Sequence, residues 1–498
     1  MRRLRSIAAL CLPLGLGLGL AGCGLTRPPA TVEAPFPAQW HAPLPHGGSL
    51  ASLADWWRQL DDPLLVELIA AAEAASPNLA SAAARVAEAR STRVQAGAAL
   101  LPNLDGTASA SRGVSGSSFG SGGTASSSSS STAAIAPLTT LQAGLQSKWE
   151  IDLFGRLRAD RDSAEQKFNS ATAKWHDARV AVAAETANAY FAERACQQQL
   201  RVAESDAKSR SETARLTDLS ARAGFTAPAD AALARASASD ASGRLTQQRA
   251  QCAVQRKALV ALSGIDETTL EQKLAASPAQ RTLPAVGSIA SVPAQAISQR
   301  PDVYAAELGV ASASADVGSA EAERYPKLSI SGSIGRMQIR TSGFRESLDT
   351  WTIGPVSLTV PLLDGGARAA NSDAAKARYT EAVSLYRANV RQAVREVEEA
   401  LVNLDATDAR AADADSAVKN YQASFDATQA RYQSGLASLF ELEDSRRTLF
   451  AAQTSRVSLQ RERTEAWVAL YRSMGGGWVR PESPSMTSNP AAKVATSP

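Results

Sequence analysis

The chain has few of the residues from which enzyme sites are usually built. Its 498 residues include three histidines and four cysteines, and aromatic residues make up 5% of the sequence. His41, His46 and His176 show no metal-ligand spacing, and no glycine-rich segment precedes the Lys-Ser/Thr pair of a phosphate-binding loop. These absences argue against a metal centre, a nucleotide site and an enzymatic role. We expect no cofactor and no catalytic residue.

Long hydrophobic runs are missing beyond the amino-terminal segment. No later window has the roughly eighteen consecutive apolar residues that a membrane-spanning helix needs. A part of this chain that crosses a membrane must therefore consist of β-strands in a closed barrel, because lipid cannot hydrogen-bond open backbone groups.

The amino terminus has the pattern of a signal peptide. Three arginines precede an apolar stretch over residues 7–20, and the sequence Leu20-Ala21-Gly22-Cys23 follows. This stretch resembles a bacterial lipobox, which implies cleavage before Cys23, an S-diacylglycerol group on its sulfur and an N-palmitoyl group. Gly24 stands where inner-membrane lipoproteins have aspartate, which implies the outer membrane. An ordinary secretory signal with a chance cysteine is the alternative.

Cleavage there leaves a mature chain without net charge. Loss of the three arginines leaves 49 Lys+Arg against 49 Asp+Glu. Nucleic-acid binding, which needs a basic surface, is therefore not expected.

Two cysteines remain in an oxidising compartment. Cys196 lies 28 residues before Gly224, and Cys252 lies 28 residues after it. In an antiparallel helical hairpin the two would lie level, so we predict a disulfide between them. The alternative is a pair of buried free thiols that face different neighbours.

The chain contains an internal duplication. Residues 76–104 and 300–328 share one plan, and the prolines of the second copy lie 224 positions after those of the first. In each copy an alanine-rich helical stretch ends at a proline, and alternating apolar and polar residues follow.

Each half then continues with two predicted strands. First strands follow Pro102 and Pro326, and second strands cover residues 141–153 and 351–363, with a bulge expected at Gly354-Pro355 because the apolar parity changes there. The Ser/Gly-rich residues 112–136 and the shorter segment 340–349 are predicted as extracellular hairpin loops, with an interdomain linker as the alternative for the first. Four strands of membrane length cannot close a barrel alone, so several copies must share one.

Most of the remaining sequence has helical periodicity. Residues 156–222 and 367–434 have heptad spacing, and each would form a helix roughly 100 Å long. Gly224 and Gly435 are predicted helix C-caps, after which returning helices run over residues 228–263 and about 440–474.

Several motifs in this order resemble one known family. They are Trp56-Trp57 with Asp61-Asp62-Pro63-Leu64, the duplicated proline segments, Trp149 to Arg156, Val360 to Gly366, and Met474 to Trp478. The chain is similar to the TolC-type outer membrane efflux family, in its lipoprotein (NodT-like) branch, over almost the whole mature sequence. The resemblance implies an α+β fold of mostly long α-helices, a coiled-coil α-barrel, with four transmembrane β-strands per protomer in a trimeric 12-stranded β-barrel.

The same resemblance implies partners and a role. A homotrimer in outer-membrane lipid would be the exit duct of a tripartite efflux pump, with a periplasmic adaptor (membrane fusion) protein and an inner-membrane RND-type transporter. Small molecules such as drugs are the expected cargo. The alternatives are a type I secretion or metal-ion efflux duct, and a lipid-anchored structural coiled-coil protein without a pore.

Adaptor docking and gating in such proteins occur at the helical tips, which correspond here to residues 215–235 and 426–446. Some relatives have an aspartate two residues after the second tip glycine, where this chain has Ala437. The candidate tip residues are therefore Asp218, Gly224, Asp230, Asp426, Tyr432, Gly435 and Glu441. For each acidic residue the alternative is a solvated charge on a helix face.

These patterns divide the chain into ten segments. They are the signal peptide 1–22, a lipid anchor and linker 23–55, periplasmic helices 56–101, a β-hairpin 102–154, a helical hairpin 155–263, an equatorial linker 264–295, a helix 296–325, a second β-hairpin 326–363, a second helical hairpin 364–474, and a tail 475–498.

Overall fold

The structure is a computed structural model that describes residues 25–35, 57, 60–113, 137–277, 297–341 and 344–481. The described residues form eight helices and four strands. In chain order they are α1 (Pro63–Ala75), α2 (Pro77–Ala98), β1 (Asn103–Gly113), β2 (Leu138–Ile151), α3 (Arg156–Arg222), α4 (Pro228–Ser263), α5 (Glu267–Ala276), α6 (Pro301–Ala322), β3 (Lys327–Thr341), β4 (Phe344–Thr359), α7 (Ala367–Gln433) and α8 (Leu439–Ser473).

The chain divides into two compact units. The sheet unit comprises residues 1–32, 87–168 and 308–383, and the hairpin unit comprises residues 33–86, 169–307 and 384–498. The four strands belong to the sheet unit. The long helices α3 and α7 begin in the sheet unit and end in the hairpin unit.

The sheet is antiparallel, with strand order β1-β2-β3-β4. Ile330 pairs with Val356, whereas Gly332 pairs with Ile353, so β4 has one extra residue at this point. The predicted bulge at Gly354-Pro355 is confirmed. Because the extra residue shifts the side-chain alternation by one, Val356 and Ile353 both lie on the apolar face of the sheet.

The second hairpin loop is much shorter than the sequence pattern predicted. Residues 340–349 were expected to form a loop, but Arg340 pairs with Arg345 and the strand β4 begins at Phe344. β4 also ends at Thr359, before the predicted limit of 363. The prediction was wrong because it took the whole segment between the two alternating stretches as a loop, whereas backbone hydrogen bonds continue both strands through these residues. Of the first predicted loop, residues 112–136, Arg112 and Gly113 instead belong to β1, and residues 114–136 lie outside the described residues.

The long helices pack through small and β-branched side chains. Each of α3 and α7 has 67 residues. The predicted heptad stripe of α7 is buried at six positions, namely Tyr386, Val390, Ala393, Val397, Ala400 and Leu404. None of the described helices combines the length and the hydropathy needed to cross a membrane.

The start of α1 is fixed by a buried acidic cap. The Asp62 carboxylate accepts hydrogen bonds from the backbone N–H groups of Leu64 and Leu65 at 3.2 and 3.4 Å, so it satisfies donors that the helix leaves open. The Tyr190 hydroxyl donates to the same carboxylate at 2.6 Å. Burial and this carboxylate raise the pKa of Tyr190 to about 12, although the Arg194 guanidinium acts in the opposite direction. The contact ties α1 to α3.

Candidate functional site

The first tip of the hairpin unit joins α3 to α4. Gly224 has φ +84°, a left-handed conformation that favours glycine because a Cβ would be strained there. The backbone N–H of Gly224 donates to Ala221 O at 3.0 Å, and that of Phe225 donates to Ser220 O at 2.9 Å. This pair of bonds is a Schellman motif, which ends the helix and turns the chain back.

The second tip repeats this geometry between α7 and α8. Gly435 has φ +75°, and the N–H groups of Gly435 and Leu436 donate to Tyr432 O and Arg431 O at 3.0 and 2.8 Å. The following helix starts differently, because Ser438 and Glu441 form a reciprocal capping box. The structure thus places the two predicted tip glycines in matching turns.

The candidate acidic residues of the tips are engaged in local contacts. Asp218 contacts Arg222 at 2.6 Å and Arg235 at 2.7 Å, so it bridges the two arms of the first tip. Glu441 belongs to the capping box and lies 3.6 Å from Arg431. These contacts favour a structural role for both carboxylates over an open acidic ring.

The other two acidic candidates have simpler surroundings. Asp230 lies in the first turn of α4, where a negative charge complements the helix dipole. Asp426 accepts a hydrogen bond from Gln422 at 2.8 Å on the exposed side of α7. The structure does not bring these two residues together with Asp218 and Glu441.

Tyr432 connects the two hairpins near their tips. Its hydroxyl shares a hydrogen bond of 3.1 Å with the Thr217 hydroxyl of α3, and Thr217 is buried. Tyr432 also packs against a cluster of buried apolar residues drawn from both hairpins, namely Ala214, Ala234, Phe425, Leu439, Leu442 and Leu449. The cluster and the hydroxyl pair hold the tips side by side.

A buried charge network adjoins this cluster, and the sequence did not reveal it. Arg210 of α3 contacts Asp206 at 2.9 Å and also contacts Glu443 of α8. Glu443 in turn contacts Arg446 at 2.5 Å and accepts a hydrogen bond from Ser237 of α4 at 2.6 Å. Three helices are thereby joined through one carboxylate.

The network is mostly removed from water, although the exposed Arg244 also contacts Asp206, at 3.2 Å. Arg210, Asp206 and Arg446 are 8%, 8% and 3% exposed, respectively, so two buried cations face two carboxylates. Burial lowers the pKa of the Arg446 guanidinium from its usual value, and the charge of Arg210 acts in the same direction, whereas Glu443 opposes both. Removing one carboxylate would leave a cation buried without a partner, which is costly.

The sequence signal for the network is weak. Asp206 and Arg210 are spaced i,i+4, and Glu443 and Arg446 are spaced i,i+3, as many exposed helix pairs are. These two pairs differ from exposed pairs only in being buried against each other. Their burial depends on the rotation of each helix about its axis.

The first hairpin carries a covalent cross-link some distance from its tip. In the structure Cys196 of α3 and Cys252 of α4 are joined by a disulfide, with their Cα atoms 5.5 Å apart. Both residues are buried, at 6% and 2% exposure. The second hairpin has no cysteine at any position.

The remaining predicted site residue is Cys23, which lies outside the described residues. Within the part of the chain that is described, no group of three or more His, Cys, Asp or Glu side chains is arranged to hold a metal ion.

The sequence matches the family described as "Outer membrane efflux protein" over residues 68–265 and 292–476. Among known proteins, it is 31% identical over 473 residues to the pyoverdine export outer membrane protein OpmQ of Pseudomonas putida, covering 94% of this chain and 97% of that one. It is 29% identical to the toluene efflux pump outer membrane protein TtgI of Pseudomonas putida, over 94% of this chain and 98% of that one.

The fold is likewise similar to a solved structure. The outer-membrane channel OprN superimposes with a TM-score of 0.77 at 27% identity, over 91% of this chain and 99% of that one. The predicted fold of long helices with four strands per protomer is confirmed, as is the predicted place in the outer membrane. The chain belongs to the outer membrane efflux protein family, and it is an efflux duct of the outer membrane.

Proposed function

We propose that three copies of this chain assemble into one exit duct, in which twelve strands share a barrel and the long helices form its periplasmic extension. The observation that carries the proposal is the four-stranded sheet, whose outer strands β1 and β4 have no further strand partner among the described residues. Four strands are too few to close a barrel, and open edges are not tolerated in lipid. Neighbouring copies therefore supply the missing pairs.

The surface of α2 supports assembly as well. This helix of 22 residues buries only Leu79, and Val94 is 65% exposed. Alanines make up much of the exposed surface, and small side chains allow a neighbouring helix to approach closely. Efflux channels of this family are trimers that work with adaptor and inner-membrane pump proteins.

The duct conducts small molecules passively and is not an enzyme. OpmQ is named for the export of pyoverdine and TtgI for the efflux of toluene, and both resemble this chain over nearly its whole length. Small molecules are therefore the favoured cargo. The energy comes from an RND-type transporter in the inner membrane, through an adaptor that docks at the two helical tips, residues 215–235 and 426–446.

The duct is also anchored by lipid at Cys23. A short segment after this cysteine is held in the sheet unit: Arg27 contacts Asp162 at 3.1 Å, and the Ser314 hydroxyl donates to the Pro28 carbonyl at 2.5 Å. Gly318 leaves room for Arg27, since a Cβ there would lie 2.7 Å from its Nε.

A planar-bilayer recording tests the duct. Purified protein is expected to give discrete ion-conducting steps, whereas a coiled-coil protein without a pore would give none.

Trimer assembly is tested by pairing one cysteine in β4, at Ser347, with single cysteines scanned along β1. We expect disulfide-linked species up to a trimer on non-reducing gels, and a ladder that stops at a dimer would contradict the shared barrel.

The lipid anchor is tested separately by the mass of the mature amino-terminal peptide. We expect a peptide that begins at Cys23 and carries both acyl modifications, and the Cys23→Ser variant should lack them. An unmodified Cys23 in the mature protein would contradict the anchor without affecting the duct.

A further inference from the structure

One face of the sheet is apolar over its helix-proximal part. The strand pairing places Leu145, Ile334 and Trp351 side by side in one row, and these side chains are 47%, 62% and 70% exposed. The next row, on the opposite face, contains Gln146 and Ser333. In a barrel that spans an outer membrane, apolar residues face lipid and polar residues face the lumen. The face with Trp351 is therefore the lipid face.

The same face ends in a row of arginines at the end of the strands away from the helices. Arg112, Arg340 and Arg345 occupy one row of the pairing register, with Thr139 between the first two. Arg340 and Arg345 each lie six residues from the apolar row, which is an even number, so they share its face. With strands about 4.8 Å apart, this row spans about 14 Å.

A fourth arginine, Arg336, lies on the same face between the two rows. It borders an open groove of about 490 Å³ whose lining includes Ala108, Ala110, Leu141 and Gln338. The groove has an apolar side and a cationic side. An amphipathic ligand with acyl chains and an anionic head fits such a surface.

Positive charge exceeds negative charge at this end of the face. The four arginines are exposed, and Asp349 is the one carboxylate that shares these rows in the described strands. Asp349 lies 3.5 Å from Arg336, whereas Arg340 donates to the neutral side chain of Gln338. Arg340 and Arg345 stand directly opposite each other, an arrangement that destabilises a strand pair unless an anion neutralises it.

We propose that Arg112, Arg336, Arg340 and Arg345 bind the phosphate groups of lipopolysaccharide in the outer leaflet. The row of Arg112, Arg340 and Arg345 lies at the end of the strands away from the helices, and hence at the extracellular side of a duct whose helices extend into the periplasm. Lipopolysaccharide supplies phosphates beside acyl chains there, and guanidinium groups bind phosphate through paired hydrogen bonds. The inference rests on the barrel of the proposed function.

The test measures binding of purified lipopolysaccharide to the full-length protein in detergent. The R112S/R340S/R345S variant is compared with wild type and with R249S/R395S/R410S, which removes equal charge from exposed helical positions. We expect the first variant to bind at least about tenfold more weakly and the control to match wild type. Wild type should bind dephosphorylated lipopolysaccharide as weakly as the first variant binds the intact form.

Two results would overturn the proposal. One is equal affinity of wild type for intact and dephosphorylated lipopolysaccharide. The other is unchanged binding by R112S/R340S/R345S, and an altered ion selectivity of its conductance would then place the arginines in the lumen. Conductance recorded on the same samples shows whether the duct itself has formed, so a failure of the proposed function is seen separately.

Discussion

The two halves of the chain share one backbone plan but differ in how they are stabilised. The helices α2 and α6 each have 22 residues and begin 224 positions apart, at Pro77 and Pro301. α2 has one buried residue, whereas α6 buries Val303, Ala305, Leu308, Val310 and Val317 among others. The duplicated helix thus became a core element in one copy and a surface element in the other.

The helical hairpins differ in the same way. The first is cross-linked by Cys196 and Cys252, and its returning helix starts at Ala227 without a side-chain cap. The second has no cross-link, but Ser438 and Glu441 cap its returning helix. The same backbone plan is therefore stabilised by different contacts in each copy, and five variants test which contact stabilises which half.

The largest loss of stability is expected at Glu443, a residue of the second hairpin that also contacts the first. Glu443→Gln removes the carboxylate that Arg210 and Arg446 contact, so two buried cations lose a partner. We expect a loss of about 3–5 kcal/mol in the free energy of unfolding and faster hydrogen exchange at both tips. Glu462→Gln in the same helix is the control, because its pair with Arg410 is exposed and should cost less than about 1 kcal/mol. Equal effects of the two changes would refute a shared clamp.

The disulfide should stabilise only the first hairpin. The C196S/C252S variant is expected to lose about 2–4 kcal/mol, because the cross-link limits the unfolded chain over a separation of 56 residues. Hydrogen exchange should rise in α3 and α4 and stay unchanged in α8. Alkylation of the denatured, unreduced wild-type protein should label neither cysteine, and labelling of both would show that the proposed bond is absent.

A pH-dependent contact near the end of α6 has no counterpart at the matching position of α2. Hydrogen bonds from Lys376 and Ser372 lower the pKa of Glu321 to about 2. The matching position in the first half, 224 residues earlier, is Gly97. Because the folded pKa lies below the ordinary value of 4.5, the contribution is present above about pH 4.5 and is lost as the pH falls towards 2.

Glu321→Gln should therefore cost about 1–2 kcal/mol at pH 7, a value reduced by solvent around the half-exposed Lys376. The measurement is urea unfolding of both proteins at pH 7 and at pH 3. The difference between them should shrink at pH 3, and a constant difference would assign the effect to packing.

The smallest effects are expected at the starts of the returning helices. Ser438→Ala removes the side-chain acceptor of the capping box and should cost about 1 kcal/mol. Ala227→Ser introduces such an acceptor at the first tip and should stabilise α4 by up to about 1 kcal/mol. Thermal unfolding of the two single variants gives the comparison. Changes of the same sign would show that the tips are not equivalent in backbone geometry.

Much of the fold could be predicted because its signals are local. The alternation of apolar and polar residues located the strands, and heptad spacing located α3 and α7. The bulge was located by the change at Gly354-Pro355 in which alternate positions are apolar. The extent of β4 could not be predicted in this way. Residues from Phe344 to Asp349 are polar enough for a loop, and only their pairing with β3 makes them a strand.

The candidate site was predictable in part for a related reason. Gly224 and Gly435 were found because their turns need a positive φ, which a sequence reveals as an isolated glycine after a long helix. The contacts of Asp218 with Arg235 and of Glu443 with Arg210 involve residues far apart in sequence. Such pairs form only when the fold brings their helices together, so the sequence alone does not reveal them.

The sequence by itself determined the order of elements, the duplication and the positions of both turns, because proline, glycine and side-chain periodicity act over a few residues. Only the tertiary structure decided which faces of the helices meet. The rotation of a helix about its axis is set by packing along its whole length, and one residue turns the contact face by about 100°. For that reason the buried Arg210–Glu443 contact and the single row of arginines on the sheet became visible only in the folded chain.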